Sequence, residues 1–201
     1  MAMTYNKRHV TFLRFDPITP PGGLDIARAG KPLCDAKLEP IQVASLLRFA
    51  RKRYSVLCLD LPGSLDPASM VALREASRIF LVTTPEPLGL YMAREDMQML
   101  AQLGLGQRVE LILNRFSPKS GRDPEQAART VGAPVAAVVP NDYSGVQFSV
   151  RNGQPLSPQT PAGAAIREFV HALLTGQAPP AAPEPRLSLA SLFGLRRPQA
   201  C

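Results

Sequence analysis

Polar and charged side chains stand directly after short apolar runs, at points where the strands of a parallel sheet would end. Asp60 and Gly63 follow the first run, Asn114 and Arg115 follow the third, and Pro140–Asp142 follows the fourth. A carboxylate at the end of a buried strand is costly unless it meets a hydrogen-bond donor or a metal ion, so Asp60 is a candidate Mg²⁺ ligand. The alternative is that it caps the next turn or helix. The Asn114 amide offers a donor and an acceptor, which suits the edge of a purine.

The elements that must position these residues alternate along the chain. The predicted strands are Tyr54–Leu59, Arg78–Thr83, Val109–Leu113 and Val135–Val139. The predicted helices are Ile41–Ala50, Asp66–Ala76, Leu88–Leu103, Asp123–Val131 and Ile166–Leu174. Alternating strands and helices at this spacing predict βαβ crossovers, and hence an α/β fold: a doubly wound parallel sheet with helices on both faces. Ligands of such sheets bind beyond the carboxyl ends of the strands, where the polar residues stand.

The two ends of the chain differ in composition from its middle. Proline and glycine punctuate the start, so we expect residues 1–23 to be irregular and residues 24–175 to form the α/β domain. Residues 176–186 read as a proline-rich linker, and residues 187–201 as a short basic amphipathic tail. The tail is either a frayed end or a docking element, and residues 187–197 could make weak contact with a membrane.

Charge and cysteine content exclude several classes of protein. The chain has 201 residues and a net charge of +7, but residues 61–176 carry ten basic and ten acidic side chains. Part of the excess is the basic cluster Arg48–Arg53, which complements a helix C-terminus, so we expect no nucleic-acid partner. Three scattered cysteines make neither a disulfide framework nor a zinc site. With no apolar run long enough to span a membrane and no signal peptide, we expect a cytoplasmic protein, peripheral to the inner membrane if the tail binds there.

Five segments resemble, in order, the C-terminal half of MinD/ParA-type P-loop ATPases, and most closely the CpaE/TadZ proteins that assemble tight-adherence (Flp) pili in bacteria. They are YSVLCLDLPGS, RIFLVTTPEPLGLYMARE, VELILNRFSPKSG, APVAAVVPNDYSGVQFSVRNGQPL and AGAAIREFVHALL. The resemblance implies a MinD-like fold in which Asp60 is the Walker B acid, holding Mg²⁺ beside ATP or ADP, and Gly63 belongs to the second switch. The purine-binding residues that it implies are Asn114, Arg115, Pro140, Asn141 and Asp142.

One departure from that family is large. Only 59 residues precede Asp60, and no part of the chain matches the phosphate-binding motif GxxxxGK[ST]. We therefore expect that the chain does not hydrolyse ATP by itself, and that it is either a truncated gene product or a degenerate homologue without a nucleotide. The sequence favours a scaffold or localisation factor for pilus assembly or secretion, with machinery proteins or a second copy as partners. The alternatives are an ATPase whose P-loop comes from a missing half or a partner chain, and a ParA-like nucleic-acid-binding module.

Overall fold

The computed structural model describes residues 25–26, 39–63, 66–118 and 123–176. The predicted irregular segment 1–23, residues 177–186 of the linker and the tail 187–201 lie outside these described residues. The chain divides into two compact units, residues 1–72 and 73–201. Within the described residues, no helix is both long and apolar enough to cross a membrane.

In the first unit, helix α1 spans Pro40–Ala50, as the apolar spacing predicts. Pro40 occupies the first helical turn, and a capping box between Glu39 and Gln42 satisfies backbone N–H groups that the helix leaves without partners. Leu47 and Ala50 are buried. The basic cluster begins in the last turn, and the Arg53 guanidinium lies 4.3 Å from the centre of the Phe49 ring. The prediction of a helix that ends in basic residues is confirmed.

The prediction that residues 54–59 form a buried parallel strand is wrong. The segment is extended, but it takes part in no strand ladder among the described residues, and Val56 and Leu59 are 54% and 42% exposed. Its first residue is held by a hydrogen bond that the Tyr54 hydroxyl donates to Asp25 Oδ2 over 2.7 Å, and this bond raises the pKa of Tyr54. An apolar run becomes a buried strand only where a neighbouring strand takes its backbone hydrogen bonds and other elements cover its side chains.

Helix α2 spans Pro67–Glu75 and begins behind Asp66, whose Oδ1 accepts the Ser69 N–H over 2.7 Å. The second unit then follows as β1 (Ile79–Thr83), α3 (Pro87–Gln102), a 3₁₀ turn (Gly106–Arg108), β2 (Val109–Phe116), α4 (Pro124–Val131), β3 (Val135–Pro140), α5 (Tyr143–Asn152) and α6 (Pro161–Thr175). The three strands are parallel in the order β1-β2-β3. The predicted α/β class is confirmed.

Helices cover both faces of this sheet. Helices α3 and α4 pack on one face, where the side chains of Val109, Leu111 and Leu113 are almost fully buried. On the opposite face α6 packs against β3, and Phe169 of α6 meets Phe80 of β1 edge-on, with 5.1 Å between ring centres. Successive side chains of a strand point to opposite faces, so β2 serves both layers.

Helix α5 is absent from the sequence prediction, and α6 begins five residues earlier than predicted. None of the residues of α5 is buried. Its ends are set by Asp142, which accepts the Gly145 N–H, and by Gly153, which adopts a left-handed conformation with φ 59°. A helix defined by its caps lacks the buried stripe that sequence periodicity detects.

Candidate functional site

The end of β2 has an irregular backbone at two predicted site residues. Arg115 has φ 55°, in the left-handed region that residues other than glycine rarely adopt, and the pairing of β2 with β3 shifts between Leu113 and Phe116. The Arg115 N–H donates a hydrogen bond to Asn114 Oδ1 over 2.9 Å, which fixes the Asn114 side chain. Bulges and strained residues concentrate beside functional sites, so the backbone geometry supports this strand end as a candidate functional site.

The loop Pro140–Asp142 lies beside that strand end. Pro140 is opposite Phe116 in the sheet, and the Asn141 N–H donates to the Phe116 carbonyl over 2.9 Å. The second unit therefore brings together five predicted site residues at the carboxyl ends of β2 and β3. They are Asn114, Arg115, Pro140, Asn141 and Asp142.

Within this group, Asp142 joins the starts of two helices. Its Oδ1 accepts the Gly145 N–H of α5 over 2.9 Å, and its Oδ2 accepts the Ala162 N–H of α6 over 3.4 Å. The hydrogen bond from Gly145 is the main reason that the pKa of Asp142 is lowered. A Cβ atom at Gly145 would lie 2.5 Å from Asp142 Oδ2, so a side chain there would displace the Asp142 carboxylate from this junction. Capping accounts for this carboxylate without a ligand.

Asp60 and Gly63 belong to the first unit, and both are exposed. Asp60 follows the extended segment 54–59 rather than a buried strand. Among the described residues, no group of three or more His, Cys, Asp or Glu side chains could hold a metal ion.

The structure also contains a groove that the sequence analysis missed, which we call the α3–α4 groove. Its volume is about 390 Å³. One wall is α3, the other is α4 and its N-cap, and the floor is the end of β2. The lining residues are Pro85, Pro87, Leu90, Tyr91, Arg94, Leu113, Phe116, Asp123, Gln126, Ala127 and Thr130. Those of each helical wall recur at i, i+3, i+4 and i+7, a pattern that marks one face of a helix but does not say which two faces meet.

Comparison with solved structures identifies the fold to which this arrangement of strands and helices belongs. The chain is 25% identical to a ParA family ATPase from Chlorobium tepidum, with a TM-score of 0.61 over 68% of this chain and 57% of that one. It is 26% identical to the septum site-determining protein MinD from Pyrococcus horikoshii, whose structure contains Mg-ADP, with a TM-score of 0.55 over 70% and 60% of the two chains. The chain has the fold of the MinD/ParA ATPases.

Sequence comparison gives the same relationship at low identity. A protein of Emiliania huxleyi, provisionally named as septum site-determining protein MinD, is 27% identical over 120 residues, which are 57% of this chain and 43% of that protein. The chain thus spans about half the length of the curated MinD-like relatives that it matches. No protein-family profile matches it.

Proposed function

We propose that this protein is a MinD/ParA-type scaffold or localisation factor for the assembly of Flp-type pili or a related secretion apparatus, and that these 201 residues do not hydrolyse ATP on their own. The assembly role follows from the resemblance of the five segments to the CpaE/TadZ proteins. The observation that supports the lack of hydrolysis is the exposure of Asp60, the residue that the resemblance matches to the Walker B acid. It is exposed and follows an extended segment, whereas a Walker B acid is held at the end of a buried strand. The absence of a GxxxxGK[ST] motif from these 201 residues supports the same conclusion.

A second function has its own support. The strand ends at Asn114 and Pro140–Asp142 meet at one sheet edge, and the relative from Pyrococcus horikoshii contains Mg-ADP. An ATPase whose phosphate-binding loop comes from another segment or chain would use that edge for the purine. Asn114 and Arg115 would then hold and orient the base.

One genetic experiment separates the two functions. In a host that carries the gene, deletion should lower the number of surface pili, and the wild-type gene should restore it. An Asp60→Ala gene should restore pili equally well under the scaffold proposal, because an exposed carboxylate outside a nucleotide site has no role in assembly. A Leu111→Ala gene should fail, because Leu111 is fully buried.

Two results would overturn the proposal. The first is unchanged piliation in the deletion strain, which removes the assembly role. The second is micromolar binding of ATP with Mg²⁺, measured by calorimetry on the purified chain and abolished by Asp60→Ala. That second result would leave the ATPase as the remaining function.

A further inference from the structure

We propose that the α3–α4 groove binds a carboxylate attached to a short apolar body. The groove lies on the face of the sheet covered by α3 and α4, within the second unit. Its volume of about 390 Å³ falls within the range of about 300–1,000 Å³ typical of ligand pockets. The inference goes beyond the proposed function, because nothing in that function requires this groove.

The floor of the groove selects an apolar group. Leu113 is fully buried beneath it, Pro85 and Ala127 are buried beside it, and Phe116 extends the apolar surface toward the end of β2. The small side chain of Ala127 leaves room between the helices that a larger residue would fill. Leu113, Pro85 and Ala127 are already shielded from water, so the apolar surface that a ligand can cover belongs to Leu90, Tyr91 and Phe116. Covering that surface favours binding by about 25 cal/mol per Å².

The charges along the walls select an anion. Arg94 of α3 is an exposed cation that makes no ion pair with any residue of the described chain. The acidic residue of the lining, Asp123, is already engaged: its Oδ1 accepts the Glu125 N–H over 3.1 Å, and its Oδ2 lies 3.7 Å from Arg129. Arg129 also lies 3.5 Å from Glu125 Oε2, so it is shared between two carboxylates. Arg94 is therefore the cation of the lining that has no ion pair among the described residues.

The helix positions also separate the two charges. Pro87 and Arg94 are seven residues apart on α3, as are Asp123 and Thr130 on the other wall, and seven helical residues span about 10 Å. Both helices run from the carboxyl edge of the sheet, so Arg94 and Thr130 stand toward one end of the groove and Asp123 toward the other. A ligand that fits this groove binds with its apolar part over Ala127 and its carboxylate beside Arg94. Tyr91, which is 60% exposed, adds an aromatic edge at the rim.

Two sources supply this chemistry: a free organic acid and the C-terminus of a peptide with an apolar last residue. The test is a titration of the full chain, followed by ¹H–¹⁵N NMR. The probes are 4-phenylbutyrate with its neutral amide, and acetyl-leucyl-phenylalanine with its C-terminal amide. At millimolar concentration, at least one acid should give saturable shifts in the amides of α3 and α4, and its amide counterpart should bind about tenfold more weakly, as loss of one charge-assisted hydrogen bond requires.

Matched variants assign the site. Arg94→Gln should weaken binding of the acid about tenfold and leave binding of the amide unchanged, whereas Arg167→Gln, an exposed arginine of α6 on the opposite face, should change neither. Thr130→Leu fills the groove from an exposed position and should weaken both ligands. Binding of only one acid identifies the source. The proposal is overturned if neither acid gives saturable shifts, or if the shifts are confined to other elements. It is also overturned if Arg94→Gln binds the acid as tightly as the wild type does. None of these results depends on Asp60 or on pili.

Discussion

A side chain at Gly163 would collide with the loop that precedes α6. A Cβ atom there would overlap the Ser157 carbonyl oxygen and would lie 2.8 Å from the carbonyl carbon. Favourable contacts of a carbon atom lie at about 3.5–4.0 Å, so the loop backbone must move by about 1 Å or more. The Ser157 oxygen accepts the Thr160 N–H over 3.1 Å and the Thr160 hydroxyl over 2.9 Å. Gly163→Ala therefore disrupts both hydrogen bonds.

The magnitude follows from these contacts. The two hydrogen bonds contribute about 1 kcal/mol each, and residual overpacking adds about 1 kcal/mol. Alanine has a higher helix propensity than glycine, which offsets about 1 kcal/mol of this loss in unfolding free energy. The net loss of unfolding free energy is therefore about 2 kcal/mol, measured by urea unfolding with far-UV circular dichroism, or a fall in Tm of about 4–8 °C.

Gly63→Ala is the matched control. A Cβ atom at Gly63 meets nothing within 4 Å, so the change in unfolding free energy should stay within about 0.5 kcal/mol. If Gly163→Ala were as stable as the wild type or more stable, helix propensity would have outweighed the collision. The described geometry of the loop before α6 would then be wrong.

Three further changes test the second unit. Leu111→Ala should lower the unfolding free energy by about 3–5 kcal/mol, because Leu111 is fully buried, and a urea midpoint unchanged from wild type would contradict its place in the core. Asp142→Asn should remove a pH dependence: the lowered pKa of Asp142 stabilises the fold above about pH 4, and that contribution is lost as the pH falls through the lower folded-state pKa. Thermal unfolding of wild type and variant should thus converge in acid, and a constant gap at all pH values would refute the assignment. Glu110→Gln should cost less than about 1 kcal/mol and lose its effect at high salt, since the two Arg78–Glu110 hydrogen bonds of 2.7 Å are partly exposed.

The candidate site was predictable in its composition but not in its bonding. Strand ends follow from apolar runs, and parallel strands bring their carboxyl ends to one edge, so Asn114 and Pro140–Asp142 could be grouped before any coordinates. The hydrogen bond from Ala162 to Asp142 joins residues 20 positions apart in sequence. No local pattern shows that one carboxylate caps two helices, because that depends on how α5 and α6 are placed.

The sequence by itself determined the three described strands, the helices between them and the parallel direction of the strands, because hydrophobic periodicity and chain connectivity restrict these strongly. Tertiary structure alone decided that the apolar run 54–59 stays outside a strand ladder among the described residues. The burial of such a run depends on a neighbouring strand, and hydrophobic periodicity gives no information about that strand. It also decided that the facing stripes of α3 and α4 leave a groove between them. The spacing of residues predicts the stripe on each helix, but the space between the two helices depends on where the sheet holds them.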